Sequence, residues 1–176
     1  HCLVHRSLTG DVNGVADGAL FDAAKAHFFD HYKNNFCRHS TLYTGVIETL
    51  HTLHNDGYLL ACVTNKSSQF TEMLLTHFGL KHFFSVTVSG DSLDVKKPAP
   101  GQLLYVAEQW GISPRECVMV GDSVTDILAA HNANMPVICV SYGYGDLADI
   151  VSHKPLAVVE SFDEIVAVLT NCAAAG

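Results

Sequence analysis

Cys117-Val118-Met119-Val120-Gly121-Asp122-Ser123-Val124-Thr125-Asp126 is the stretch on which the fold turns. Four apolar residues of strand length run into a glycine, and a polar Asp-Ser pair then opens a segment with helical spacing as far as Asn134. Glycine lets the backbone turn tightly, so Asp122 emerges at the strand end. Asp126 follows one helical turn later, which lets the two carboxylates converge above a sheet. The same alternation extends both ways. Tyr58 to Val63 reads as a buried strand, followed by the polar loop Thr64-Asn65-Lys66-Ser67-Ser68 and a helix that runs to Phe78 and stops at Gly79. Phe84 to Val88, Pro136 to Val140 and Leu156 to Val159 are further strands; Gly101 to Trp110 and Phe162 to Leu169 are further helices. Strands without polar alternation, separated by helices of roughly ten residues, predict an α/β fold whose parallel sheet is covered on both faces. Its functional edge lies at the carboxyl ends of the strands, where the loops after Val63 and Val120 fall.

Upstream the pattern changes. Leu20, Ala24, Phe28, Tyr32 and Phe36 recur at spacings of four, which predicts an amphipathic helix over 18–35 with Asp17 as its cap. Thr44 to Asn55 predicts another helix, stopped by Asn55-Asp56-Gly57. Helix without strand before Arg38 predicts a separate helical piece over 1–38, ahead of the sheet domain over 39–176.

Composition narrows the partners. The formal net charge of −8 argues against nucleic acid or an anionic membrane, either of which needs clustered Lys and Arg. No apolar run reaches the ~18 residues of a membrane span, and no signal-peptide pattern opens the chain, so the expectation is a soluble cytoplasmic protein. The six cysteines contain no CxxC pair and read as buried thiols in a reducing compartment. Eleven histidines raise a zinc site, with His27 and His31 sharing a helix face; no HExxH or Cys-His cluster supports it.

Three segments carry candidate chemistry, and each has a plainer reading. Asp122 and Asp126 suit Mg²⁺, a hard cation that takes one or two carboxylates, several waters and a substrate phosphate; they would equally suit an Asp-Ser helix cap with an acidic first turn. Thr64 and Asn65, at a strand end and helix start, can hold a phosphate oxygen through a hydroxyl and successive N–H groups, or merely cap the helix. Lys97, held before Pro98 in Lys96-Lys97-Pro98-Ala99-Pro100, is a fixed positive charge for a phosphate or simply a solvated lysine. The prolines predict a helix starting near Ala99.

Taken in order, strand-Thr64-Asn65, Lys97-Pro98 and strand-Gly121-Asp122-Ser123-x-x-Asp126 resemble the haloacid dehalogenase-like hydrolases. Val63-Thr64-Asn65-Lys66, Lys96-Lys97-Pro98-Ala99-Pro100 and Ser141-Tyr142-Gly143-Tyr144-Gly145 are most similar to the phosphoglycolate phosphatases among them. The resemblance spans the chain from about Ala19. It implies a three-layer Rossmann-like core with part of a helical cap, and an enzyme that hydrolyses a small anionic phosphate monoester with Mg²⁺. It further implies that Thr64 and Asn65 bind the transferring phosphoryl group, Lys97 neutralises it and orients the nucleophile, and Asp122 ligates the metal while Asp126 supports the metal's water shell. A pyrophosphatase, a sugar phosphomutase and a non-catalytic phosphate-binding module remain alternatives.

One part of the family pattern is missing. The family opens with a strand ending Asp-x-Asp-Gly-Thr, whose first aspartate is the nucleophile. The nearest segment here, Val15-Ala16-Asp17-Gly18-Ala19-Leu20-Phe21-Asp22, has valine at that position, follows no apolar strand and reads as the loop entering a cap helix. In the family that strand lies mid-sheet, beside the strands ending at Thr64 and Asp122. Each backbone group left buried without a partner costs ~1–3 kcal/mol, against ~5–15 kcal/mol for a whole domain. The expectation is therefore that these residues alone do not form one continuous sheet, and that they are part of a longer enzyme.

Overall fold

A cap, a close helix pair and a ring stack define the first part of the computed structural model, which describes residues 2–11, 13–38 and 40–174. The chain divides into two units, His1–Thr41 and Leu42–Gly176. In the first, α1 (Cys2–Thr9) and α2 (Gly18–Asn35) pack together. Asp17 caps α2 as its position before the apolar periodicity predicts, its side chain accepting from the N–H groups of Ala19 and Leu20. His5 on α1 stacks on Phe21 at 3.9 Å between ring centroids and accepts the Ala16 N–H at 3.1 Å. The sequence reading has no counterpart for α1: its eight residues show only Val4 and Leu8 as an i, i+4 pair, too short a run for a period to register.

The second unit alternates as expected: α3 (Val46–Asn55), β1 (Ala61–Val63), α4 (Ser68–His77), β2 (Val86–Val88), α5 (Gly101–Trp110), β3 (Met119–Gly121), α6 (Val124–Asn132), β4 (Val137–Val140), α7 (Leu147–Ser152), β5 (Ala157–Val159) and α8 (Glu164–Ala174). The strands are shorter than their apolar runs because the flanking residues are claimed by neighbouring turns. Tyr58 N–H returns to Leu53 O at the exit of α3, and Cys117 N–H goes to Pro114 O in a 3₁₀ turn closed by a Ser113–Glu116 capping box. The helix after Pro98 starts at Gly101, two residues later than the prolines suggest, with Pro100 in the cap position and its carbonyl accepting the N–H groups of Leu103 and Leu104.

Every strand pair is parallel, yet the strands form two sheets, β1-β2 and β3-β4-β5. β1 and β3 therefore each keep one outer edge without a strand partner among the described residues. Thr64 N–H donates to Val88 O and Ser85 N–H to Leu60 O, so alternate residues of β1 face β2 and the backbone groups of Ala61 and Val63 face away from it. In β3, Met119 N–H donates to Pro136 O on the β4 side, which turns the backbone of Val120 toward the open edge. The core lies behind these strands: Ile127, Ala129 and Ala130 of α6 pack on Val137 and Cys139 of β4, all essentially without exposure, and Leu50, Leu75, Leu80 and Phe83 form a second cluster.

Candidate active site

The loops at the carboxyl ends of β1 and β3 meet at Lys97. Its Nζ donates to Val63 O at 2.9 Å, capping a carbonyl on the open side of β1, and to Asp126 Oδ1 at 2.7 Å. Both side chains of this ion pair are only 9% exposed, so the charges are screened little by water. Burial opposes the charged form of Asp126. That is the largest single influence, but the Lys97 charge and hydrogen bond, together with hydrogen bonds from Ser123 Oγ (2.8 Å) and the Asp122 N–H (3.2 Å), outweigh it and hold the carboxyl below the ordinary carboxylate range.

Both Asp126 oxygens are thus engaged by the protein. Asp122 differs: Oδ2 accepts the Tyr144 N–H at 3.0 Å, and its other oxygen has no hydrogen-bond partner among the described residues. One free carboxylate oxygen at the mouth of a strand-helix junction fits the one-carboxylate, water-rich coordination of Mg²⁺. Among the described residues no group of three His, Cys, Asp or Glu side chains is gathered in one place.

Thr64 follows β1 directly. Its Oγ1 accepts the Lys66 N–H at 3.1 Å, which leaves the hydroxyl proton free to donate to an anion. Asn65 turns its side chain toward the Lys97 loop: Nδ2 donates to Lys97 O at 2.9 Å and Oδ1 accepts the Lys97 N–H at 3.1 Å. The five sequence-derived candidates come from three strand ends, Thr64 and Asn65 after β1, Lys97 in the loop after β2, and Asp122 and Asp126 at the β3–α6 junction, with Asn65 and Asp126 both bound to Lys97.

Gln102 is a residue the sequence reading missed. It has no exposure at all, accepts the Lys97 N–H at 3.3 Å, and donates to Ser89 O at 2.9 Å and Thr64 O at 3.4 Å. One buried amide thereby ties the loop after β1 to both ends of the loop after β2, at Ser89 and at Lys97. The available signal is a glutamine one turn before Val106 on the apolar stripe of α5.

A cleft of about 300 Å³ opens beside these groups. Lys97, Asp122 and Asp126 line its polar end, and Tyr43, Tyr142 and Phe162 line an apolar wall. Val63 and Met119 to Gly121 also border it, so it runs along the open edges of β1 and β3. Tyr142 contacts Tyr43 at 4.7 Å between centroids, whereas Tyr144 is 96% exposed, which separates two tyrosines the sequence leaves equivalent. No helix among the described residues is long and apolar enough to cross a membrane.

The profile of the family described as haloacid dehalogenase-like hydrolase matches residues 11–140. A phosphoglycolate phosphatase of Nitrosococcus oceani is 40% identical over 97% of this chain and 76% of its own length. One from Thiobacillus denitrificans is 40% identical over 96% of this chain and 74% of its own. A crystal structure described as a predicted phosphoglycolate phosphatase from Haemophilus somnus superposes with a TM-score of 0.84 at 36% identity, covering 89% of this chain and 69% of that one.

Proposed function

The chain belongs to the haloacid dehalogenase-like hydrolase family, and from that premise we propose that it works as a Mg²⁺-dependent phosphate monoester hydrolase whose substrate is 2-phosphoglycolate. The observation that carries this reading is the meeting of Lys97, tied to Val63 O and Asp126, with the half-engaged carboxylate of Asp122 at one end of the cleft.

Each residue then has a role that its surroundings favour. Thr64 donates its hydroxyl proton to a phosphoryl oxygen, alongside the backbone N–H of Asn65 in the loop between β1 and α4. Lys97 places a full positive charge against the same group, held in place by Asp126 and by the side chains of Asn65 and Gln102. Asp122 is the carboxylate that would hold Mg²⁺, and Asp126 keeps Lys97 and the Asp122 backbone in position. Bound Mg²⁺ would supply charge neutralisation on the phosphoryl oxygens.

The nucleophile belongs to a further extended segment. We place it between the open edges of β1 and β3, on a strand outside these 176 residues that ends in an aspartate. That carboxylate attacks phosphorus in line, the ester P–O bond breaks, and the glycolate oxygen leaves with a proton given by the second aspartate of the same Asp-x-Asp segment, which afterwards takes a proton from the attacking water. Water then hydrolyses the aspartyl-phosphate, releasing phosphate and restoring the carboxylate. The helical unit formed by α1 and α2 would be part of the cap that selects the substrate.

Turnover of 2-phosphoglycolate, pyrophosphate and hexose phosphates by the full-length protein tests the assignment. Preference for 2-phosphoglycolate is expected; preference for pyrophosphate or a hexose phosphate overturns the substrate, and phosphate binding without turnover of any of them overturns the enzyme.

A further inference from the structure

Ser141 to Gly145, the loop after β4, has no part in the roles above, yet two of its backbone N–H groups donate to Asp122. Tyr144 N–H donates to Asp122 Oδ2 at 3.0 Å, and Gly145 N–H donates to Asp122 O at 3.1 Å. The two glycines allow that approach. A Cβ built on Gly143 would lie 2.2 Å from Asp122 Cβ and 2.6 Å from Oδ2, and one on Gly145 would lie 2.3 Å from Asp122 O and 3.2 Å from Ser123 Cα. Real Cβ atoms do not come as close as 2.2–2.6 Å, and although Ile150 Cδ1, 2.8 Å from the Cβ on Gly145, could swing aside, Asp122 Cβ and Asp122 O could not.

We propose that the 141–145 loop is the positioning device for Asp122: its backbone fixes one carboxylate oxygen and so aims the other at the metal, with Gly143 required for the contact. This rests on the reading of Asp122 as the metal carboxylate. The Tyr144 N–H acts here as an outer partner of a ligating carboxylate, a class of contact whose loss costs ~10–100-fold in metal affinity. The Tyr144 side chain, pointing to solvent, contributes nothing to it.

The test is Mn²⁺ binding to the full-length protein followed by EPR of the free ion. Gly143→Ala should weaken binding by ~10–100-fold. Tyr144→Ala, which keeps the backbone donor, and Gly18→Ala, whose new Cβ meets nothing within 4 Å, should bind as the parent does. Equal affinity in Gly143→Ala and the parent overturns the inference while leaving the metal site standing; no saturable binding by the parent overturns the metal site and the inference together. A second measurement needs no variant. In the ¹⁵N-labelled parent, the Tyr144 amide should shift during a Mg²⁺ titration with the midpoint that EPR competition gives for the site, and an unmoved Tyr144 amide counts against the proposal even if Gly143→Ala does not fold.

Discussion

Replacing Lys97 by methionine removes one partner of the most deeply buried ion pair in the described structure while keeping the aliphatic stem. Asp126, 6% exposed, is left facing the cleft wall with hydrogen bonds from Ser123 and the Asp122 N–H but no countercharge. Deleting one partner of a buried pair costs ~3–5 kcal/mol, and at ~2–4 °C per kcal/mol for a chain of this size the melting temperature should fall by on the order of 10 °C. The loss carries a pH signature. In the parent the Asp126 carboxyl is held below its ordinary value, so the stability it confers is present above pH ~4 and is lost as pH falls through the folded value. In Lys97→Met the burial that opposes charge is unbalanced, the carboxyl rises above its ordinary value, and the penalty is fully present at neutral pH and relieved as pH falls through that raised value. Urea unfolding at pH 7 and pH 5 measures both effects. The variant's deficit should be largest at pH 7 and smaller at pH 5, and Lys97→Met/Asp126→Asn should recover most of it. A deficit under ~1 kcal/mol at pH 7, or one independent of pH, refutes the claim that the pair is buried and mutually dependent.

Gln102→Met preserves volume but strips Ser89 O, which is 2% exposed at the residue level, of its 2.9 Å donor; unfolding in urea should show a loss of ~1–3 kcal/mol. The Lys97 N–H keeps Asn65 as acceptor, so turnover should drop less than in Lys97→Met. Asp122→Asn should lower Mg²⁺-supported turnover of the full-length protein by ~10²-fold or more with its far-UV CD unchanged; undiminished turnover removes the metal assignment. Burial, with Asp126 and Asp122 nearby, pushes the Cys139 thiol up to about 11, so a disulfide reagent at pH 8 should modify exposed Cys172 in the folded protein and Cys139 only after unfolding, as mass spectrometry of the labelled peptides would report.

The alternation of elements was legible because each signal is local. Asp17 before a four-residue apolar period, Gly79 after another, and an apolar run ending in Gly121-Asp122-Ser123 all act through their own backbone. Strand ends were less legible, since Tyr58 and Cys117 are claimed by turns whose acceptors lie several residues away. The split between β1-β2 and β3-β4-β5 was anticipated through the family's missing strand, a non-local matter that no period reports. The chemical residues were legible by type and order, but their division of labour was not. Asn65 and Asp126 look like ligands in the sequence, and only the folded loops show their side chains spent on Lys97, Ser123 and the Asp122 N–H. Gln102 and the 141–145 loop were invisible for the same reason, as their partners are brought together from other strands.

The central claim is that Lys97, Thr64 and Asp122 form the anionic-substrate end of a Mg²⁺-dependent phosphatase. Phosphate release from 2-phosphoglycolate by the full-length protein, measured across a Mg²⁺ titration and in EDTA, tests it most directly. Saturable Mg²⁺-dependent release that EDTA abolishes and Asp122→Asn suppresses is the predicted result; release that persists in EDTA, or none at saturating Mg²⁺, contradicts it.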